Sequence, residues 1–255
     1  MEAANVASVW GAEYSGVVCS IFLKTMKPEL SIVVPAYNEG EHLAGVIAEM
    51  TDVFGKAGID YEIVIVNNGS SDDTGTIVDQ LAHENQRIRA VHLHQNRKYS
   101  GGIRAGLAEA RGAVMGWAHA DGQADPYDVV RLYRAMREQK CELAKAIRRE
   151  RHESPWRIVQ GKIWYGIFQL LFWSPYRDVN ATPKLMTRRA ADILKLDSRD
   201  WFLDPEFVIK ALRNKIAICE VETIWRSRRS GSTRAHLLTG LEFLKNLILY
   251  RVGIR

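Results

Sequence analysis

The sequence predicts an α/β fold: a doubly wound, mostly parallel sheet covered by helices on both faces. Three observations predict it. Short β-branched runs alternate four times with stretches of helical hydrophobic spacing. The connections between them are short, as right-handed crossovers between parallel strands require. The first two runs are largely apolar, as strands buried on both faces of a parallel sheet are.

Leu30–Ser31–Ile32–Val33–Val34 reads as the first strand, stopped by Pro35. Residues 41–57 carry Leu43, Val46, Ile47, Met50 and Phe54 at helical spacing, with Gly58 as the stop. Tyr61 to Val66 is the second strand and ends in a turn-rich stretch, Asn67 to Thr74. A helix with Ile77, Val78 and Leu81 on one face follows, then a strand over Ile88 to Leu93, a helix over Gly102 to Ala110 and a strand over Ala113 to Ala118. Pro126 to Gln139 reads as a helix with proline in its first turn. After residue 145 the alternation stops. An aromatic-rich helix is predicted over 156–173, another over 204–214, a strand over Ile216–Trp225 and an amphipathic helix over 236–250. Three segments result: an N-terminal arm over 1–29, a catalytic-type domain over 30–235 and a C-terminal amphipathic helix over 236–255.

Composition narrows the class. With 255 residues, 47% hydrophobic and 25% charged, the chain is ordinary for a globular protein with a sizeable core. Its apolar runs are far shorter than the ~20 residues a membrane span needs. The stretch before Glu29 has no cationic start and only a short apolar core, Val17 to Leu23, unlike a secretory leader. Cys19, Cys141 and Cys219 are widely separated and lack metal-ligand spacing, so a reducing compartment is expected rather than a disulfide scaffold. The net charge of +5 is unevenly spread. Residues 1–142 hold 13 basic and 19 acidic side chains, net −6; residues 143–189 hold 10 and 3, net +7; residues 226–255 hold 7 and 1, net +6. The basic blocks suit phosphates or an anionic membrane surface, or are simply solvated faces. They contain no nucleic-acid-binding motif, and the acidic first half opposes one, so no nucleic-acid partner is expected.

In a doubly wound sheet, ligands bind beyond the carboxyl ends of the strands. The loops there read Pro35–Ala36–Tyr37–Asn38–Glu39, then Asn67–Asn68–Gly69–Ser70–Ser71–Asp72, then Lys98–Tyr99–Ser100–Gly101–Gly102, then His119–Ala120–Asp121–Gly122–Gln123. Downstream come Arg177–Asp178, Lys184, Phe202–Leu203–Asp204–Pro205–Glu206 and Val221–Glu222–Thr223–Ile224–Trp225, followed by Arg228, Gly231 and Ser232. In this order, over roughly residues 30–235, they resemble the family 2 glycosyltransferases of GT-A fold, and within them the dolichyl- or polyprenyl-phosphate sugar synthases.

The resemblance implies a nucleotide-sugar donor, a divalent metal (Mn²⁺ or Mg²⁺) and a lipid-phosphate or glycan acceptor. It puts His119, Asp121 and Gln123 at the acidic metal motif, where His119 replaces an aspartate and softens the donor set towards Mn²⁺. It puts Pro35, Tyr37 and Glu39 against base and ribose, though Asn38 and Glu39 equally suit a helix N-terminus. Asn67 and Asn68 stand where the family has aspartates, keeping an acceptor oxygen and losing the charge. Gly102 would let backbone approach phosphate at a helix start. Lys184 would lie near the acceptor or the diphosphate, and Arg226 to Arg234, with Arg228, would form a loop closing over the diphosphate. Arg148 and Arg149, in the basic block Lys145, Arg148, Arg149, Arg151, Trp156, Arg157 and Lys162, would hold the acceptor phosphate. Asp204 would act as base on a hydroxyl acceptor, or simply cap a helix.

The expected activity is an inverting hexosyl transfer to a polyprenyl phosphate. Transfer to a hydroxyl of a surface glycan, and a degenerate nucleotide-sugar-binding protein, are the alternatives. The expected location is cytoplasmic, with peripheral contact at the inner face of the membrane.

Overall fold

The computed structural model describes residues 27–151, 155–225 and 237–253. The expected arm over 1–29 falls almost wholly outside them, as does the segment holding Arg226, Arg228, Arg229, Gly231, Ser232 and Arg234. The strands are β1 (Leu30–Ala36), β2 (Tyr61–Asn68), β3 (Ile88–Leu93), β4 (Val114–Trp117), β5 (Leu143–Arg151), β6 (Lys184–Thr187) and β7 (Ile218–Trp225). The helices are α1 (Gly40–Lys56), α2 (Thr74–Glu84), α3 (Lys98–Glu109), α4 (Pro126–Gln139), α5 (Pro155–Phe172), α6 (Arg188–Leu194), α7 (Leu203–Arg213) and α8 (Leu237–Arg251). All seven strands form one sheet in the order β3-β2-β1-β4-β6-β5-β7. β1 lies parallel to β2 and β4, β2 to β3, and β5 to β7, while β6 runs antiparallel between β4 and β5.

The sheet separates two cores, because successive side chains of a strand point to opposite faces. Ile32 and Val34 of β1 join Leu43, Val46 and Ile47 of α1, Val78 of α2 and Val129 of α4 on one side. Val33 joins Ile103 of α3, Phe168 of α5, Leu194 of α6, Phe207 of α7 and Leu247 of α8 on the other. The C-terminal helix thus belongs to the same core as the sheet: Phe202 packs on Phe243 and Tyr250 with ring centroids 5.1 and 5.2 Å apart.

Several expectations need correction. β1 runs past Pro35 to Ala36, because its pairing with β4 has already ended at Val33 and only the β2 side continues. α3 starts at Lys98, four residues earlier than predicted, since Asn96 Oδ1 accepts from the Lys98 amide at 2.7 Å. The basic run from Lys145 to Arg151 lies within the fifth strand and does not follow it. β6 and α6 were not predicted; four residues of strand give too short a pattern to read. Cys141 and Cys219 are joined as a disulfide, contrary to the expectation of unpaired thiols. The parallel register of β5 on β7 (Ala144 opposite Cys219) brings together residues 78 apart in the chain.

β6 reaches the sheet's centre because β4 offers a glycine there. A Cβ on Gly116 would lie 2.0 Å from the backbone oxygen of Lys184 and 3.0 Å from the Cα of Leu185. Neither atom can rotate away. Gly116→Ala is therefore expected to force β4 and β6 apart at a cost of about 1–3 kcal/mol, lowering the melting temperature by roughly 2–12 °C. Thermal unfolding followed by circular dichroism checks it.

Candidate active site

The loops at the carboxyl ends of β1 and β2 are built as one unit. Asn38 takes a left-handed conformation (φ 54°), its amide donates to Ser70 Oγ at 3.0 Å, and its Oδ1 accepts from the Ser71 amide at 2.9 Å. Asp72 serves both helices that leave these loops: Oδ2 accepts from the Gly40 amide at 3.3 Å and Oδ1 from the Thr74 amide at 3.1 Å. Burial pulls its pKa upward, but the hydrogen bonds from Thr74 and Gly40 outweigh that and hold the carboxylate below its ordinary value. Asp72 is thus a capping residue. Tyr37 and Glu39 stand half-buried on this platform, and the side chain of Glu39 makes no cap bond to α1 although it occupies the N-cap position.

The two asparagines divide the work. Asn67 Oδ1 accepts from the Ser70 amide at 3.1 Å, and its Nδ2 lies 3.2 Å from His92 Nδ1. Asn68 is buried and turned to the loop after β3: Oδ1 accepts from the Arg97 amide at 2.9 Å, and Nδ2 donates to the Lys98 carbonyl at 2.9 Å. One side chain must both accept and donate here. An amide can do so; a carboxylate cannot. Gly102 owes its lack of a side chain to the same residue, since a Cβ there would sit 2.9 Å from Asn68 Nδ2. Gly102 lies in the second turn of α3, not at the helix start, and its bare Cα lets α3 pack against Asn68.

Beyond β4 the chain turns at once. His119 and Asp121 follow the strand's end at Trp117, so strand alternation does not place them on a common face as their spacing implied. Asp121 is buried, Gly122 has a left-handed φ of 69°, and Asp121 Oδ1 accepts from the Gln123 amide at 3.1 Å. The His119 ring stacks on Tyr99 of α3 (centroids 5.6 Å apart), and Tyr99 stacks in turn on Trp201 (5.7 Å, interplanar 6°). Burial, then the negative charges of Asp204 and Asp121, push the Tyr99 hydroxyl well above its usual pKa, so it stays protonated.

Asp204 lies in the first turn of α7 without being its N-cap, which is Phe202. Its Oδ1 instead receives the Lys184 ammonium at 2.6 Å, both groups being buried. Lys184 Nζ also donates to the Ala181 carbonyl at 2.6 Å and lies 5.9 Å from the Trp117 ring centroid. Burial lowers the Lys184 pKa to about 8 although Asp204 opposes the shift. Tyr99 thus gathers His119, Asp121, Asp204 and Trp201 into one cluster, with Lys184 and Trp117 behind it. Glu206, the second acid of that motif, is structural. It accepts from the Asp197 and Ser198 amides at 2.7 and 2.9 Å and pairs with Lys210.

The arginines lie elsewhere. A cavity of about 530 Å³ opens between β5 and α5, lined by Arg148, Arg149, Lys162, Arg177, Trp164 and Phe168 among others. Arg148 grips Asp178 bidentately, Nε to Oδ2 at 2.8 Å and Nη2 to Oδ1 at 2.7 Å. Arg149 and Arg177 stand exposed at the rim, both near Glu222, at 3.9 and 3.6 Å. The segment from Asp178 to Lys184 joins the two regions, touching Arg148 at one end and Asp204 at the other. The Asp178–Arg148 and Lys184–Asp204 pairs, and the places of Trp117 and Trp201, were not legible in the sequence; residues 20 or 30 apart in different elements carry no spacing signal.

His119, Asp121 and Gln123 offer an imidazole, a carboxylate and an amide, a set that suits a divalent cation whose other ligands come from a diphosphate. Among the described residues no group of three His, Cys, Asp or Glu side chains converges. Asn68→Asp is expected to set a carboxylate against the Lys98 carbonyl and cost about 1–3 kcal/mol, which a denaturant titration against the parent chain will read.

Comparison with known proteins bears on the family and the fold. The family model for glycosyl transferase family 2 matches residues 31–192. Glycosyltransferase AglD of Haloferax volcanii is 27% identical over 230 residues, covering 87% of this chain and 36% of that protein. A dolichyl-phosphate beta-glucosyltransferase of Saccharomyces cerevisiae is 29% identical over 254 residues, covering 88% of this chain and 74% of the relative. Among solved structures, glucosyl-3-phosphoglycerate synthase of Mycobacterium tuberculosis, crystallised with Mn²⁺ and uridine diphosphate, superposes with a TM-score of 0.65 at 18% identity, over 89% of this chain and 81% of that one. The same synthase has also been crystallised with Mg²⁺ and uridine diphosphate. With a family model spanning more than half its length and the strand-tip loops tied together as described, the chain belongs to glycosyl transferase family 2.

Proposed function

We propose that this chain is an inverting glycosyltransferase that moves a sugar from a nucleotide-sugar donor to a polyprenyl phosphate. The observation that carries the reading is the cavity between β5 and α5, whose cationic rim and aromatic walls match an acceptor with an anionic head and an apolar tail. A phosphate oxygen of the acceptor attacks the anomeric carbon. The bond from that carbon to the diphosphate breaks, and its electron pair leaves with the nucleoside diphosphate. A phosphate acceptor is already ionised near neutral pH and needs cations to position it, so no general base is required. Arg149, Lys162 and Arg177 serve that purpose from the rim, and Arg148, fixed by Asp178, does so from within. The names of the relatives support a lipid-phosphate acceptor: several are dolichyl-phosphate glucosyltransferases, and one is an undecaprenyl-phosphate sugar transferase of Edwardsiella ictaluri, 30% identical over 141 residues.

Asn67, Tyr37 and Glu39 on the fused first and second loops would hold the nucleoside. Asp121, with His119 and Gln123, would hold a divalent cation, which when bound offsets the charge that builds on the departing diphosphate. Tyr99 fixes the His119 ring by stacking on it, and Lys184 holds Asp204 in place. That pairing disfavours Asp204 as base for a hydroxyl acceptor, because one carboxylate oxygen is already engaged by an ammonium.

Turnover with a short-chain prenyl phosphate in detergent tests the reading. Arg149→Ala with Arg177→Ala should raise the acceptor KM at least tenfold, since charge-assisted bonds contribute about 1.5–3 kcal/mol each, with donor binding unchanged. If those variants behave like the parent while a glycan hydroxyl accepts sugar in an Asp204-dependent way, the hydroxyl reading replaces it. Donor binding without transfer to either acceptor would mark a binding protein. The pH profile supplies a second check. Lys184 is charged below about pH 8 and loses its proton above it, breaking the pair with Asp204. Activity should therefore fall as pH rises through about 8, and this limb should vanish in Lys184→Met, whose rate is low throughout.

A further inference from the structure

We propose that α5 docks the enzyme on an anionic lipid bilayer through an apolar stripe separate from its core-facing side. The proposal rests on the lipid-phosphate reading above for its purpose and on the geometry of α5 for its substance. α5 is apolar on two sides. Trp164, Ile167, Phe168, Leu171 and Phe172 pack into the core between α5, α7 and α8. Val159, Ile163 and Leu170 do not: they are 45%, 56% and 78% exposed. At 3.6 residues per turn these three fall, with Gly166, within an arc of about 60°. Gly166 adds no bulk to the stripe, and nothing lies within 4 Å of where its Cβ would be.

Trp173 extends the stripe past the end of the helix. It is 84% exposed and takes a left-handed conformation (φ 52°), with its amide donating to the Gln169 carbonyl at 2.8 Å. That conformation favours glycine or asparagine at a helix end and is costly for a bulky side chain. A tryptophan there contributes little to folding, whereas indole rings favour the headgroup level of a bilayer. An exposed apolar stripe beside the core-facing side of a helix marks a contact with another protein or with lipid.

Charge argues for a bilayer over another protein surface. Exposed Arg149, Lys162 and Arg177 lie beside α5 at the mouth of the cavity described above, in a stretch (143–189) of net charge +7. A shallow apolar stripe bordered by cations is how peripheral helices engage anionic membranes. The inner side of the same helix lines the cavity through Trp164, Tyr165 and Phe168. Docking would thus bring the cavity to the lipid surface from which a polyprenyl phosphate must be drawn. Among the described residues no helix is long and apolar enough to cross a membrane, so the contact proposed is with the surface.

Flotation with vesicles of phosphatidylcholine and phosphatidylglycerol, free of any prenyl phosphate, tests this with the full chain. The parent should float with these vesicles and much less with phosphatidylcholine alone. Leu170→Glu with Trp173→Glu should reduce the floated fraction at least tenfold, while turnover on a water-soluble short-chain prenyl phosphate stays within twofold of the parent and shows the variant is folded. A parent that stays unbound, or a variant that floats equally well, overturns the proposal. So does a variant whose sedimentation in vesicle-free buffer shifts to a smaller species, because the stripe would then be covered by a second copy. Vesicle binding with no transfer to any prenyl phosphate would sink the acceptor reading and leave the docking face standing.

Discussion

The buried pair between Lys184 and Asp204 is the interaction on which the site depends. Neither charge could be buried alone, because removing an ion from water costs far more than a single neutral hydrogen bond returns. Each therefore requires the other, and their meeting requires the strand that runs against both its neighbours. β6 enters antiparallel between β4 and β5, carries Lys184 at its first position and opposes a glycine in β4. α7 delivers Asp204 from the other side in its first turn. The pair lies between the aromatic cluster at the tip of β4 and the arginine-lined cavity beside β5, and so joins the half of the site suited to a nucleotide to the half suited to an acceptor.

The first half follows the logic of any doubly wound sheet, in which parallel strands direct their carboxyl ends towards a common edge. What distinguishes this chain is how much of that edge is spent on holding itself. Asn38, Ser70, Ser71 and Asp72 bind the first two loops into one platform, and Asn68 fixes the third loop through Arg97 and Lys98. The chain can use amides where carboxylates are usual because these positions need groups that donate as well as accept. The platform keeps the carboxylates of Glu39 and Asp72, and Asp121 after β4 and Asp204 in α7 add theirs.

The second half is held by another kind of contact. Lys145, fully buried, donates to the carbonyls of Ala146, Arg177 and Asp178 and pairs with Glu220 at 2.9 Å. Together with the Arg148–Asp178 fork it fastens the 177–184 segment to β5 and β7. Lys145 is therefore structural and Arg148 is fixed in place, whereas Arg149, Lys162 and Arg177 at the cavity's rim are exposed. Net charge alone would have counted them as equivalent.

Local pattern determined the alternation of strands and helices, because buried strands and amphipathic helices each impose a period on the chain that side-chain burial enforces. It gave β3 and α4 with their observed bounds, and Asp125 capping α4 through the Tyr127 amide at 2.9 Å follows from the same local chemistry. Ordered short motifs at strand ends identified the family, since a glycosyltransferase must place particular groups at particular loops. The sequence could not reveal which of those groups are consumed by the protein itself: that Asn68 faces Arg97 and Lys98, that Arg148 is locked to Asp178, that Lys184 meets Asp204, or that Cys141 meets Cys219. Such pairings join residues distant along the chain and arise only when β6 inserts and β7 aligns with β5. They were decided by tertiary structure, because a buried charge or amide takes as partner whatever the fold sets beside it.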